Sequence, residues 1–203
     1  MSKDSSDPRR KAILQAATTA FASYGYRKTS MDDIARAAGM SRPALYLHYR
    51  NKEEIFRTMV DWFYAEAAMN LREALATGDD RPIAAVLSRA FRAQGGDLLA
   101  LLMQSPHGME LFDAGSLVAL DIAQAGERTL TGIYADWLHA LARAGRIAPP
   151  EAPEAAARAM TAALKGLKFA ADDYDSYVAL LEALAALIGP GLERREPITT
   201  NPV

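Results

Sequence analysis

Residues 30–56, SMDDIARAAGMSRPALYLHYRNKEEIF, decide how this chain of 203 residues folds. Ser30 is followed three residues later by Asp33. That spacing is a variant of the capping box, in which a hydroxyl and a carboxylate satisfy the free backbone N–H groups at a helix start. Ile34, Ala35 and Ala38 then share one helical face. Gly39 stands where a helix closes in a left-handed turn, which glycine adopts without steric cost. Ser41 caps the next helix, and Pro43 is tolerated in its first turn, where no intrahelical N–H is lost. Asn51 with Glu54 opens a further helix. Two short helices, 30–38 and 41–48, therefore meet at a glycine, which is the helix-turn-helix pattern. In that pattern the first helix braces on phosphates and the second enters the major groove. Leu45 faces inward, so Ser41, Arg42, Pro43, Ala44, Tyr46, Leu47 and His48 face outward. Tyr46 and His48 carry donors for phosphate oxygens, and Arg42 reaches a phosphate or a guanine edge.

On either side the chain reads as helix after helix, without strand-like alternation. Asp7-Pro8 is an N-cap with proline at the first helical position, and Ile13, Leu14, Ala17, Phe21 and Tyr24 repeat behind it up to Gly25. The helix opened by Asn51 carries Ile55, Phe56, Met59, Phe63, Ala67 and Leu71, and ends near residues 77–78. Further helices are expected over 80–94, broken at Gly95-Gly96, and over 97–104, whose apolar residues run nearly all round and predict burial. A short piece spans 107–114, one long helix spans 116–144, and a final pair spans 153–171 and 175–188, stopped by Gly189-Pro190-Gly191. The expectation is an all-α chain of about nine helices. Residues 1–6 form a flexible N-terminus, 7–50 a three-helix DNA-binding domain with its motif at 30–49, 51–194 a helical bundle, and 195–203 a flexible tail.

Composition agrees. Half of the residues are hydrophobic, and there is no cysteine, which removes disulfides, thiolate zinc sites and cysteine nucleophiles. Residues 1–57 hold 11 Lys/Arg against 6 Asp/Glu, a net of +5, while 58–203 hold 12 against 19, a net of −7. A basic end on an acidic body suits a head that touches DNA. No uninterrupted apolar run reaches the roughly 18–20 residues of a membrane span, and the first residues lack a signal-type apolar core. A cytoplasmic protein without a membrane contact is expected.

Thr29-Ser30, Ile34-Ala35, Ala38-Gly39, Ser41, Leu45-Tyr46, His48 and Lys52-Glu53 followed by an apolar pair resemble the DNA-binding signature of the TetR family of regulators. Tyr49 stands where the family usually has Phe, and Pro43 where it often has a small or flexible residue. The resemblance extends through the first helix and covers the N-terminal third. It implies that Thr29, Ser30, Tyr46, His48 and Lys52 sit on the phosphate backbone, while Ser41, Arg42, Pro43, Ala44 and Leu47 face the groove. Arg27 is a further phosphate candidate, and Arg9, Arg10 and Lys11 add phosphate or minor-groove contacts. It also implies a dimer through the last two helices, and Met160, Leu164, Tyr177, Leu181, Leu184 and Ile188 are the expected interface. The physics points the same way: one head buries only about 600–1,000 Å² on DNA, and two heads read half-sites of a palindromic operator about 34–36 Å apart.

The body's apolar and aromatic residues suit an apolar or aromatic small-molecule effector. Trp62, Phe63, Phe91, Met103, His107, Met109, Tyr134, Trp137 and Phe169 are the candidate lining, although plain core is the commoner role for any one of them. The expected function is a transcriptional regulator, a repressor released from DNA by that effector. Two other readings stand beside it. One is a helical DNA-binding protein controlled by a protein partner. The other is a helical-bundle enzyme, for which His107-x-x-Glu110 and Asp136-x-x-His139 are the available pairs. Neither has the Glu-x-x-His form of a di-iron bundle, and there is no HExxH, GxSxG or phosphate-cradling glycine loop. No cofactor, metal or catalytic residue is expected.

Overall fold

The computed structural model describes residues 8–76, 81–147 and 152–193. The expected ends, 1–6 and 195–203, and the Asp7 cap lie outside the described residues. Within them the chain forms α1 (Pro8–Tyr24), α2 (Met31–Ala37), α3 (Arg42–Tyr46), α4 (Lys52–Ala76), α5 (Ile83–Met103), α6 (Gly108–Val118), α7 (Leu120–Arg143), α8 (Pro153–Ala170) and α9 (Tyr174–Leu192). Among the described residues the one β feature is an isolated antiparallel bridge between Ile147 and Glu193.

The helices make two compact units. The first holds the chain up to residue 69 together with 95–128, and the second holds 70–94 together with 129 onward. These units do not coincide with the sequence division at 50/51. The reason is connectivity, since α4, α5 and α7 each run from one unit into the other, and α6 packs on α1.

The first unit is built on Ile13, Leu14, Ala17 and Phe21 of α1, Ile34 of α2, Leu45 of α3 and Ile55 and Phe56 of α4, with Leu102 and Leu111 closing it. Phe21 and Phe56 meet edge to face at 5.5 Å, a favoured aromatic geometry. The inward place expected for Tyr24 is taken by Tyr26, whose ring lies 4.7 Å from that of Phe56. Tyr24 is more than half exposed because α1 ends there and Gly25 turns the chain at φ 80°.

Three sequence boundaries shift. α5 bends at Gly96 (φ 57°, ψ −170°), a conformation open to glycine, and Leu101 beyond the bend is 44% exposed, so that segment is not buried all round. The helix expected from 116 begins at Leu120, after a break at Ala119. α9 runs through Gly189-Pro190-Gly191 to Leu192. There Gly189 permits close approach, since a Cβ at that position would lie 2.5 Å from the Ala84 backbone.

The second unit packs Ile83, Leu87 and Phe91 of α5, Leu130, Tyr134, Trp137 and Leu138 of α7, Met160 and Leu164 of α8, and Tyr177 and Leu181 of α9. Glu193 accepts a hydrogen bond from the Ile83 N–H at 2.9 Å, satisfying a free donor at the start of α5. Asp173 caps α9 through the Ser176 N–H at 2.7 Å, and its carboxyl is held below the ordinary range chiefly by that bond. By length and composition α9 could cross a membrane. The sequence shows no such uninterrupted run because Asp175 and Glu182 punctuate it.

Candidate nucleic-acid interface

The corner between α2 and α3 forms as its residues dictate. The Ser30 hydroxyl accepts from the Asp33 N–H at 3.2 Å, and Asp33 accepts from the Ser30 N–H at 3.0 Å and its hydroxyl at 2.6 Å. These bonds, led by the hydroxyl, hold the Asp33 carboxyl below its ordinary range. At the other end Met40 N–H bonds to Ala35 O and Gly39 N–H to Arg36 O, the Schellman closure, with Gly39 at φ 63°. Ser41 then caps α3 by accepting from the Ala44 N–H at 3.3 Å. The helix is short, Arg42–Tyr46, and a turn through Leu47 and His48 follows it. Leu45 is fully buried and Tyr49 nearly so, so α3 is anchored in its middle and just beyond its end.

The outward set expected from sequence is largely outward. Arg27, Ser30, Ser41, Arg42, Pro43 and Tyr46 are exposed, and Ala44 and His48 are half-buried. Leu47 is 86% exposed, an apolar side chain placed where a thymine methyl group could meet it. Arg42 donates to Asp32 at 3.2 Å and to the Tyr46 hydroxyl at 3.4 Å, with its guanidinium 5.6 Å from the Tyr46 ring centre. The Tyr46 bond first, then the Asp32 charge, raises the Arg42 pKa further. Arg10 of α1 donates to the His48 carbonyl at 3.4 Å and lies 5.3 Å over the Tyr49 ring, steadying the end of the turn.

Two residues expected on the phosphate backbone have partners within the chain. Thr29 is 1% exposed, and its hydroxyl donates inward to Gly25 O at 2.7 Å. The Lys52 ammonium donates to the carbonyls of Tyr26, Arg27 and Thr29 at 2.9, 3.0 and 3.0 Å and sits 4.9 Å from the Tyr26 ring centre. Its three N–H donors are thus spent on the turn between α1 and α2. Local spacing carries no sign of this, because the partners lie 23 to 26 residues away. Asp32, the partner of Arg42, was likewise not singled out. Its sequence signal is its place in the first turn of α2, where an acid is ordinarily only a complement to the helix dipole.

The candidate lining of an effector site divides between the units. Trp62, Phe63, Met103, His107 and Met109 belong to the first, and Phe91, Tyr134, Trp137 and Phe169 to the second. Trp62 packs on the first unit's core. Phe91 and Tyr134 meet at 6.0 Å inside the second, with the Tyr134 hydroxyl donating to Gln94 at 2.9 Å. Burial drives the Tyr134 pKa well above its ordinary value, so this hydroxyl stays a neutral donor. Phe91 and Tyr134 are core in the second unit, and Trp62 is half-buried against the core of the first. Phe169 is 55% exposed and Met109 38%, so neither lines an enclosed space. His107 pairs with Glu110 at 3.1 Å and borders a cleft of about 250 Å³ with Ser23, Tyr24, Lys28 and Asp33. That cleft is polar and smaller than the usual ligand pocket of roughly 300–1,000 Å³. Asp136 is not brought to His139, whose partner is Glu154 at 2.9 Å, and that bond lowers the Glu154 pKa. Among the described residues no three His, Cys, Asp or Glu side chains come together as a metal site.

A capped, glycine-closed helical corner presenting a short outward helix is the DNA-binding device of helix-turn-helix proteins. Residues 13–59 match the family of bacterial regulatory proteins, tetR family. This segment, about a quarter of the chain, is what the chain shares with that family. It is 36% identical over 74 residues to the HTH-type transcriptional activator FasR of Mycolicibacterium smegmatis, covering 36% of this chain and 34% of that protein. It is 43% identical over 49 residues to IcaR of Staphylococcus epidermidis, the negative transcriptional regulator of a biofilm operon, covering 24% of this chain and 26% of IcaR. The matches therefore span well under two thirds of these relatives. The whole fold is similar to that of SmeT in complex with triclosan, at a TM-score of 0.67 and 22% identity over 97% of this chain and 99% of that one. SmeT is the repressor of a Stenotrophomonas maltophilia multidrug efflux pump.

Proposed function

We propose that the chain is a cytoplasmic, ligand-responsive, DNA-binding transcriptional regulator: a homodimeric repressor that leaves a palindromic operator when an apolar or aromatic small molecule binds. The carrying observation is the α2–α3 corner, with Ser41, Arg42, Pro43, Tyr46 and Leu47 exposed on a helix anchored by buried Leu45. Residues 7–50 supply the DNA contact, and residues 51–194 supply pairing and effector response.

Part of the expected pairing face is spent within the single chain. Met160, Leu164, Tyr177 and Leu181 are at most 3% exposed within a single chain, because they hold α8 and α9 on the second unit's core. Leu184 and Ile188 are half-buried. Exposed instead are Ala155, Ala159, Ala162, Gly166 and Phe169 on one stripe of α8, and Ala179, Ala183, Ala186 and Leu187 on α9. Small residues at this spacing let a second copy's helices approach closely, and Phe169 and Leu187 supply apolar area. Sedimentation measures the outcome: the dimer dissociates in a Gly166→Glu, Leu187→Glu variant whose helical content is unchanged. A dimer that survives both substitutions puts the interface elsewhere.

Effector response follows from linkage. α4, with 25 residues and about 37 Å of length, runs from the DNA-binding unit into the other. An effector that binds the DNA-free arrangement better lowers DNA affinity, and DNA lowers effector affinity by the same factor. The binding of triclosan by SmeT supports an aromatic class. Duplex binding measured against salt tests the reading. Affinity falls steeply as salt rises, whereas a chain that ignores duplex DNA at low salt is not a regulator of this kind.

A further inference from the structure

Asp32 is an acidic residue on the face of the head that is to meet a polyanion. It lies in the first turn of α2, half exposed, with its carboxylate 3.2 Å from the guanidinium of Arg42, the first residue of α3. The pair adds little to stability, since its side chains are 51% and 57% exposed and exposed pairs contribute at most marginally. What it does is geometric. Arg42 is gripped by Asp32 from the neighbouring helix on one side and by the hydroxyl and ring of Tyr46, one turn along its own helix, on the other. An arginine side chain has many rotamers, and much of its cost in binding is the loss of that freedom. Here the guanidinium is oriented before DNA arrives. These two bonds use one N–H from each terminal nitrogen, and a guanidinium carries five, so donors remain for a fork to a guanine O6 and N7.

We infer that Arg42 reads a guanine in the major groove and that Asp32 is the positioning residue that makes it selective. The inference rests on the DNA-binding reading above and goes beyond it by naming the base class and the pair. The carboxylate's two effects on DNA have opposite character. Its charge repels every duplex alike, and that repulsion is screened by salt. The orientation it imposes on Arg42 favours one base at one position of each half-site. Removing it therefore strengthens binding to arbitrary DNA while weakening discrimination, a combination that mere loss of a structural contact does not produce.

The test enriches binders from duplex DNA with a randomised centre, using the full chain as wild type, Arg42→Met, Asp32→Asn, Asp32→Glu and the double variant Asp32→Asn, Arg42→Met. Circular dichroism first checks that all are equally helical. The wild type is expected to enrich a symmetric site with a guanine at one position per half. Arg42→Met loses that preference by about 10–100-fold with little change in the slope of affinity against salt. Asp32→Asn loses part of the same preference and binds an unrelated duplex on the order of a few-fold more tightly at low salt. Asp32→Glu restores the preference, and Asp32→Asn adds no further loss of preference in the Arg42→Met background.

Three results overturn the inference. In the first, Arg42→Met weakens all duplexes equally and reduces the salt slope by about 0.9, making Arg42 a phosphate contact. In the second, Asp32→Asn alters the enriched base even without Arg42, making Asp32 a base reader itself. Failure of the wild type to bind any duplex removes the DNA-binding reading and this inference with it, and is distinguishable because no variant then needs comparing.

Discussion

Replacing Lys52 by methionine keeps an apolar stem under the Tyr26 ring and deletes the ammonium that ties together the carbonyls of Tyr26, Arg27 and Thr29. Hydrogen bonds from a charged donor contribute about 1.5–3 kcal/mol each when removed singly. The three here share one ordered side chain, and the freed carbonyls regain water on the exposed side, so the sum falls well short of three independent bonds. We expect a loss of about 2 kcal/mol, which for a chain of this size lowers Tm by about 4–8 °C. Thermal unfolding by circular dichroism reads that shift. Duplex binding well below the transition, titrated against salt, reads the second half of the prediction. The slope should not move, because Lys52 has no N–H left for a phosphate. A slope reduced by about 0.9 with Tm unchanged would refute the reasoning and return Lys52 to the DNA backbone.

Three further outcomes follow from the same head. Leu45→Ala empties a fully buried site under α3 and should cost about 2–5 kcal/mol, seen as lower urea resistance and loss of DNA binding together; retention of both would mean the core refills. Gly39→Ala meets open space but must hold φ 63°, so backbone strain alone should cost about 1–2 kcal/mol, with Gly39→Asn milder; equal stability of all three chains would contradict the left-handed closure. Asp33, held below its ordinary range by Ser30, has a folded pKa beneath its unfolded value of about 3.9. It therefore stabilises the fold above that pH and loses the contribution as pH falls through the folded pKa. The urea midpoints of wild type and Asp33→Asn should converge in acid and separate toward neutrality, and a constant separation would sink the assignment.

Much of the fold was legible because its signals are local. Ser30, Asp33, Gly39 and Ser41 act on backbone groups within a few residues of themselves, so the capping box, the Schellman closure and the start of α3 could be placed by counting along the chain. Periodicity likewise put Ile34, Leu45, Ile55 and Phe56 inward, where they are. The differences share one cause. Thr29 and Lys52 were placed on DNA by the resemblance, but the groups they bind in the free chain are carbonyls of the preceding turn. Met160, Leu164, Tyr177 and Leu181 were placed at the pairing face by the resemblance, which does not say which stripe of α8 and α9 a single chain spends on its own core. The small residues Ala159, Ala162 and Gly166 took the outward side instead.

From sequence alone came the helices, the glycine corner and the outward set on α3, since hydrogen-bond caps and a period of 3.6 residues act over distances the chain itself encodes. Tertiary structure decided where each cation's donors end, which face of α8 and α9 is spent on the core, and that α4, α5 and α7 run through both compact units. Those outcomes depend on groups tens of residues apart competing for the same side chain. Such competition is resolved only when the packed chain brings them within hydrogen-bonding or van der Waals distance.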